Sequence, residues 1–330
     1  MRVLHVNEVA RAGSSMVREA RARGLDWGLL DTVRLDHRGR SFAALAERGV
    51  KGAQWAANLK AQVRAADVVH IHGANVVAHT RWAAKQYVLH LHGTDIRTAQ
   101  YDLRHRDSVR RAVEEAQLVY YVTPDLWEHV RGLRPDAELF PVVADTTGVP
   151  LSKADTSHLK VVFPSRWDAS KGGEEQLRVA AEVVRVSGSA AVEGLAWGES
   201  WRNAEALGIT MRPRMSHVEY LNWLASATVA VGQIAGILSV SELEAMAAGV
   251  PTVAPLKPEW YDGSDTSMRD IPVFGGARGS DDQLASQIGL EVQRLLESPM
   301  VTDARGWVET HHGPRRAVDR LLAAYARLRK

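Results

Sequence analysis

The sequence predicts an α/β protein with two doubly wound, Rossmann-like domains, each built on a parallel sheet. Short apolar runs alternate with segments of helical periodicity, a pattern typical of parallel strands joined by crossover helices. The chain has 330 residues, which is more than one core usually supports, so two domains are expected. A polar segment at 145–158, punctuated by Gly148 and Pro150, interrupts the alternation near the middle. It is the predicted linker.

The first domain is predicted to span 1–148. Apolar runs indicate strands at 2–6, 27–35, 67–72, 87–92, 118–122 and 138–143. A loop at 7–15 contains Gly13 and leads into a helix that ends near Gly24, and residues 42–65 also have helical periodicity. The carboxyl ends of parallel strands share one edge of a sheet, so a ligand is expected at that edge.

The second domain is predicted to span 149–312, followed by a helical segment at 313–330 that crosses back to the first domain. Strands are indicated at 160–164, 190–193, 209–212, 228–231, 252–254 and 272–274. Helices are indicated at 173–186, 216–225, 281–297 and 315–329, in addition to a helix that begins near Ser239. Two such domains joined by one linker are expected to face each other across a cleft, which suits a transferase with two substrates.

The stretch at 239–253 is the strongest local signal of a ligand site. Ser239 is a good N-terminal helix residue, carboxylates such as Glu244 suit the first turns, and Gly249 ends the helix. A strand and a loop that contains Gly236 precede it, and this order of elements presents backbone amides to a phosphate. An ordinary buried strand and helix pair fits the same stretch equally well.

Two cations follow the first strand of the second domain. Arg166 and Lys171 lie in one loop, just before the glycines that open the next helix. An Arg fork and a Lys point charge near a helix N-terminus are a plausible diphosphate clamp. The alternative is a solvated loop with incidental cations.

Two His-X-His pairs stand at strand ends, His70 with His72 and His90 with His92. Alternation places both members of a pair on one strand face, so four imidazoles could converge on a metal, and Asp95 close by is compatible with a metallohydrolase. The alternative is a set of buried histidines that bond to their neighbours. We favour that alternative and predict no metal site.

The composition limits the classes of function. A net charge of +2 gives no strong case for nucleic acid. The first 150 residues carry 21 Lys and Arg against 17 Asp and Glu, so weak contact of this basic half with a membrane surface is one possible interaction. With no cysteine, disulfides and thiolate chemistry are excluded. The N-terminus lacks the apolar core of a signal peptide, and a cytoplasmic protein is expected.

Three motifs resemble those of retaining nucleotide-sugar glycosyltransferases of the GT-B fold, in particular glycosyltransferase family 4. They are HLHGTD at 90–95, FPSRWDASKG at 163–172 and LEAMAAGVPTVA at 243–254, and the opening MRVLHVNEV and DVVHIHG at 67–73 fit as well. The resemblance covers nearly the whole chain. It implies a hexosyltransferase that needs no cofactor or metal and moves a sugar from a nucleotide diphosphate donor to a glycan, lipid-linked or small-molecule acceptor.

The resemblance also implies roles for individual residues. Arg166 and Lys171 match the pair that holds the donor diphosphate, and Glu244 matches the residue that binds the ribose. His92 matches a histidine that touches the donor sugar, and Asp95 belongs to the same motif at the acceptor side of the cleft. The remaining implied donor contacts are the loop residues Gly13 and Ser14, together with Gly236, Ser239 and Val240.

Two positions depart from the family pattern. Gly236 stands where the family has a glutamate that contacts the donor sugar, and FPVVADTT replaces an Asn-Gly near the end of the first domain. Besides a glycosyltransferase, the sequence therefore leaves open a nucleotide-sugar epimerase, a metal-dependent hydrolase that uses the His-X-His pairs, and a non-catalytic relative that binds a nucleotide sugar.

Overall fold

The computed structural model describes residues 1–32, 42–153, 157–275 and 281–328, with side chains described for all of these except 42–45 and 281–282. The chain forms two compact units. The first consists of Met1–Val143 and Pro314–Lys330, and the second of Ala144–Gly313.

The first unit is built on a six-stranded parallel sheet with the order β2-β1-β3-β4-β5-β6. Its strands are β1 (Val3–Val6), β2 (Trp27–Leu30), β3 (Val68–His72), β4 (Val88–Leu91), β5 (Leu118–Tyr121) and β6 (Glu138–Leu139). Its helices are α1 (Ala12–Ala22), α2 (Phe42–Ala65), α3 (Ala74–Thr80), α4 (Thr94–Arg97), α5 (Arg106–Glu115), α6 (Leu126–Val130) and α13 (Pro314–Leu328).

Two apolar clusters form the core of the first unit. In one, Leu4, Ile71 and Leu89 pack with residues of α3 and α5. In the other, Met16 of α1 packs with Tyr325 of α13. The sheet is thus covered by buried side chains on both faces, which explains why its strands appear in the sequence as continuous apolar runs.

The second unit is built on a five-stranded parallel sheet with the order β11-β10-β7-β8-β9. Its strands are β7 (Lys160–Phe163), β8 (Ala191–Leu195), β9 (Thr210–Arg212), β10 (Val229–Val231) and β11 (Thr252–Val253). Its helices are α7 (Gly173–Val186), α8 (Trp201–Ala206), α9 (His217–Ala225), α10 (Val240–Ala247), α11 (Asp281–Glu297) and α12 (Arg305–His312). The core consists of β7 and β10 side chains packed against α7 and α11.

The order of strands reverses once in each sheet. In the first unit the chain runs from β1 outward to β2 and then returns to β3 on the other side of β1. In the second unit it runs from β7 through β9 and then returns to β10 on the other side of β7. Ligands of doubly wound sheets bind outside the carboxyl ends of the strands at such a reversal.

Several element bounds differ from the sequence prediction. The predicted strand at 272–274 is a single bridge between Val253 and Phe274. Helix α1 begins at Ala12, so Gly13 and Ser14 lie in its first turn and not in a loop. The short helices α8 and α12 were not predicted, and the part of the second predicted strand beyond residue 32 lies outside the described residues. Every helix in the described ranges is too short or too polar to cross a membrane.

Candidate functional site

The reversal point of the second unit is flanked by the loops that follow β7 and β10. The two loops touch: the amide of Ile234 donates to the carbonyl of Lys171 over 2.9 Å. A Cβ atom on Gly172 would lie 2.8 Å from the Cβ of Ile234, so this contact requires glycine. The predicted donor-binding residues of this unit are therefore carried by one packed pair of loops and the helix that follows.

Arg166 and Lys171 lie on the first of these loops. The Arg166 guanidinium is 3.3 Å from the Asp168 carboxylate and lies over the indole of Trp197 at 5.4 Å. The Lys171 ammonium is 3.4 Å from the Ser239 hydroxyl. Lys171 thus reaches from the loop after β7 to the residue that precedes α10, which places a cation at the positive end of that helix.

The start of α10 is fixed by the buried carboxylate of Glu242. It accepts hydrogen bonds from the Ser165 hydroxyl over 3.0 Å, from the backbone amide of Gln233 over 3.0 Å and from the backbone amide of Ser239 over 2.8 Å. The amide of Ser239, one of the predicted phosphate ligands, already has this partner. Within the first turn the amide of Glu242 is capped by the Ser239 side chain, which leaves the amides of Val240 and Ser241 as the ones suited to an anion.

Glu244 lies one turn into α10 and is also buried. The Nε2 atom of His217 on α9 lies 2.7 Å from one of its carboxylate oxygens. Burial raises the pKa of the nearby Tyr220, and the charges of Glu244 and Glu242 raise it further. His217 was not predicted as a site residue, because nothing in the sequence spacing of α9 and α10 signals a contact between the two helices.

Gly236 occupies the position where the resemblance leads one to expect a glutamate. Its φ is 87°, and a Cβ atom there would lie 2.6 Å from Cγ of Lys257. The Lys257 ammonium lies over the Trp260 ring at 4.2 Å, and the Lys257 amide donates to the Gly236 carbonyl over 3.1 Å. A lysine stem therefore fills the space that a side chain at 236 would need.

In the first unit, the loop after β1 has a strained backbone, and one of its side chains already accepts hydrogen bonds from the first turn of α1. Asn7, Ala10 and Arg11 have positive φ values of 74°, 49° and 63°, which are costly for residues with a Cβ. The two carboxylate oxygens of Glu8 accept from the amides of Gly13 over 3.2 Å and Ser14 over 2.8 Å. These predicted donor contacts are thus bonded to an acidic residue of the same chain.

Four buried histidines and a fifth that is partly buried form a layer near the carboxyl edge of the same sheet. They are His5 of β1, His70 and His72 of β3, His90 of β4 and the adjacent His92. Their ring centroids lie 4.7 to 5.3 Å apart for the neighbouring pairs. The His-X-His pairs share one strand face, as predicted, but His5 was missed because it interrupts a run that otherwise resembles a plain buried strand.

Ring nitrogens of these histidines bond to each other. The contacts are His5 Nδ1 to His72 Nε2 at 3.0 Å, His72 Nδ1 to His92 Nε2 at 2.9 Å and His70 Nε2 to His90 Nδ1 at 3.2 Å. Burial lowers the pKa of His5 and of His92 to about 3 and lowers the pKa of the other three well below the usual value. At neutral pH all five imidazoles are uncharged.

Three of these residues could hold a metal ion. His70, His72 and His90 each offer a ring nitrogen, and the three nitrogens lie within 4.8 Å of one another. Imidazole nitrogens are common ligands of zinc and other transition metals.

Asp95 ties together the loops after β3 and β4. Its carboxylate accepts from the amides of Gly93 at 2.9 Å, His92 at 3.2 Å and Ala74 at 3.2 Å. Burial raises its pKa, and these amide hydrogen bonds oppose that rise. Asp95 therefore holds the backbone amides of His92 and Gly93 and ties them to the loop after β3.

Solved structures share this fold, whereas no protein-family model and no curated protein matches the sequence. HepE from Anabaena, in complex with UDP and glucose, is similar with a TM-score of 0.64 at 14% identity, over 99% of this chain and 99% of HepE. A glycosyltransferase from Rickettsia africae gives a TM-score of 0.59 at 12% identity, over 100% of this chain and 98% of that chain.

An enzyme of another class is similar as well. The UDP-GlcNAc 2-epimerase from Methanocaldococcus jannaschii gives a TM-score of 0.54 at 11% identity, over 98% of this chain and 100% of the epimerase. At these identities the similarity concerns the fold alone. It confirms the predicted fold class of two Rossmann-like, parallel-sheet α/β domains and, at the level of the fold, the resemblance to GT-B glycosyltransferases.

Proposed function

We propose that this protein is a glycosyltransferase that transfers a sugar from a nucleotide diphosphate sugar to an acceptor, with retention at the anomeric carbon and without a metal. One observation carries the proposal. Lys171 reaches from the loop after β7 to Ser239 at the start of α10, 3.4 Å away, and Arg166 lies on the same loop. A lysine thus meets a helix N-terminus at the reversal point of one sheet, and a second cation lies on the same loop.

This arrangement suits the departure of a nucleotide diphosphate. Negative charge grows on the diphosphate as the bond to the sugar breaks, so groups that meet this charge lower the barrier. Lys171 and Arg166 are two such groups, and the amides of Val240 and Ser241 are a third. Because they already bring positive charge, we infer that no divalent metal is needed.

Glu244 is the proposed ribose contact. Its carboxylate is buried, and the 2.7 Å contact with His217 Nε2 fixes one of its oxygens. That leaves the second oxygen as the proposed acceptor for a ribose hydroxyl. Uridine is the first candidate for the base, since HepE, which shares the fold, has been solved with UDP and with UDP-glucose.

A thermal-shift screen of nucleotide diphosphates and nucleotide sugars is the first test. A ligand present at a hundred times its dissociation constant should stabilise the folded protein by about 2.7 kcal/mol. UDP is expected to raise the melting temperature, and the matching nucleoside monophosphate and nucleoside, as controls, should raise it less. A screen in which no nucleotide diphosphate stabilises the protein would rule the proposal out.

Retention and metal independence have separate tests. NMR of a product formed from an α-linked donor should show an α-linked product, and turnover should survive EDTA. Activity that EDTA abolishes and zinc or manganese restores would favour instead the hydrolase that uses the His-X-His pairs.

An epimerase is the second candidate, because the Methanocaldococcus jannaschii epimerase shares the fold. Incubation with a UDP-sugar in the absence of any acceptor separates the two activities. An epimerase would convert the UDP-sugar into a UDP-sugar with a different sugar, whereas a glycosyltransferase would not. A third candidate, a non-catalytic nucleotide-sugar binder, is favoured by Gly236. It predicts binding in the screen with no turnover for any acceptor.

A further inference from the structure

Three histidines of the first unit form a hydrogen-bonded chain that ends at His92. His5 Nδ1 lies 3.0 Å from His72 Nε2, and His72 Nδ1 lies 2.9 Å from His92 Nε2. Strand β3 lies between β1 and β4, with His70 opposite His5 and His72 opposite His90, so the contacts of this chain run diagonally from strand to strand. His72 uses both of its nitrogens, and the Nδ1 atom of His92 is the nitrogen that lies outside the chain.

The number of protons in the chain is fixed. His5 and His72 are fully buried, and among the described residues the ring nitrogens of all three contact only other imidazoles. An extra proton would therefore be a buried charge without a counter-ion, and each ring carries one N–H. Each hydrogen bond needs one N–H and one lone pair, which leaves two consistent arrangements. Either all three rings are protonated on Nδ1, or all three are protonated on Nε2.

The buried end of the chain decides between the two arrangements. His5 Nε2 is buried and has no hydrogen-bond partner among the residues that the structure describes. A buried N–H without an acceptor is rarer in proteins than a buried acceptor without a donor. The proton of His5 therefore belongs on Nδ1, where it is donated to His72, and His72 in turn donates from Nδ1 to His92.

We propose that His5 and His72 are positioning residues that hold His92 as the Nδ1–H tautomer, so that His92 presents a hydrogen-bond donor to the substrate. The part that concerns substrate rests on the proposed glycosyltransferase function, whereas the tautomer does not. A neutral, oriented N–H suits a sugar hydroxyl or carbonyl oxygen, and an imidazole that is free to exchange tautomers would present it only part of the time.

The second pair of histidines provides a matched control. His70 and His90 bond to each other at 3.2 Å, and His70 Nδ1 lies 2.5 Å from the Tyr325 hydroxyl. His70 and His90 lie in the same layer, but within the described residues no hydrogen bond joins either of them to the chain from His5 to His92. Removal of His90 should disturb the packing of the layer without changing the protonation of His92.

Nitrogen-15 NMR of the full-length protein labelled on histidine tests the tautomer directly. The signals of His92, assigned by comparison with His92→Asn, should show a protonated Nδ1 and an unprotonated Nε2. In His5→Leu this pattern should give way to a mixture of tautomers. In His5→Asn it should persist, because the asparagine amide can donate to His72 from the place of Nδ1. His90→Leu should leave it unchanged.

Kinetics provide the second measurement. His5→Leu should lower kcat about tenfold, the value of one hydrogen bond, with KM within twofold of the wild type and recovery in His5→Asn. If the protein transfers no sugar, the proposed function fails while the tautomer prediction stands or falls by NMR alone. If His5→Leu does not fold, the wild-type and His5→Asn spectra still decide.

Three results would overturn the inference. One is a wild-type His92 protonated on Nε2. Another is a folded His5→Leu with an unchanged tautomer and unchanged kcat. The third is a stoichiometric metal in the purified protein that removes the N–H signals of His72.

Discussion

The reversal points of the two sheets carry opposite chemistry. In the second unit the edge holds Arg166, Lys171 and a helix start whose first-turn amides suit an anion. In the first unit the helix start is already capped by Glu8, and the neighbouring layer consists of uncharged imidazoles. The two edges share one topology, so the chemical difference between them comes from the residues on their loops.

The largest expected effect concerns acid. In the unfolded chain the five histidines of this layer bind protons below their ordinary pKa of 6.5. In the folded first unit desolvation lowers the pKa of each, to about 3 for His5 and His92. The unfolded state therefore takes up more protons as pH falls from 6.5 toward 3. Each such histidine removes up to about 1.4 kcal/mol of folding stability per pH unit in that range.

Hydrogen exchange followed by mass spectrometry can compare the two units in one sample. Between about pH 7 and pH 5, after correction for intrinsic exchange rates, peptides from β3 and β4 should lose protection before peptides from β7 and β10. The exposed His79 is a control, since His79→Ala should leave this order unchanged. Simultaneous loss in both units, or earlier loss in the second, would break the comparison.

The next effect is on catalysis at the second unit. Lys171→Ala should lower kcat by about 10² to 10³ and should weaken donor binding by a smaller factor, because the charge of Lys171 matters most as the diphosphate leaves. Lys160 is the first residue of β7, at the opposite end of this strand from the loop that carries Lys171. Its ammonium lies 3.0 Å from the Ser226 hydroxyl. Lys160→Ala should change kcat little. An unchanged kcat in Lys171→Ala would mean that Lys171 has no role in catalysis and is only an incidental cation on a solvated loop.

A smaller effect is expected on stability at Gly236. Gly236→Ala meets a positive φ and the stem of Lys257, whereas Gly188→Ala meets a positive φ of 58° with nothing within 4 Å of the added Cβ. We expect Gly188→Ala to cost about 1 kcal/mol and Gly236→Ala clearly more. In the double variant Gly236→Ala, Lys257→Ala, the loss of stability should decrease toward that of Gly188→Ala. Equal urea midpoints for the two single variants would show that Lys257 simply moves aside.

The sequence predicted the fold well because both sheets are parallel and buried. Continuous apolar runs in such sheets are hard to mistake, and long helices such as α7 and α11 have the predicted bounds. The misses are short elements: α8 and α12 have too few turns for a clear period, and the predicted strand at 272–274 pairs through a single bridge.

The candidate site was predictable only in part. The loop cations and the helix start are local patterns, so Arg166, Lys171 and Ser239 could be proposed as candidates from the sequence alone. The partners that complete the site are contacts between distant segments: His217 with Glu244, Lys257 with Gly236, and His5 with His72. A single sequence holds no signal for such pairs, and each residue on its own resembles an ordinary surface or core position.

The smallest expected effect is at the start of α1. Glu8→Ala removes the carboxylate that caps the amides of Gly13 and Ser14 and should cost about 1 kcal/mol of stability. Because those amides are bonded within the chain, binding of the nucleotide diphosphate should change less than twofold. A larger loss of affinity would mean that the first unit also contributes to the diphosphate site and would erase the contrast between the two edges.

Calorimetry with UDP tests most directly whether the second unit holds the nucleotide diphosphate. We predict that the wild type and Lys160→Ala bind UDP equally and that the double variant Arg166→Ala, Lys171→Ala binds it at least about a hundredfold more weakly, since a hydrogen bond to a charged group is worth roughly 1.5 to 3 kcal/mol. With no carboxylate at Gly236, the matching UDP-sugar should bind within about tenfold of UDP, a difference of about 1.4 kcal/mol. Undiminished binding of UDP by the folded double variant would contradict the account.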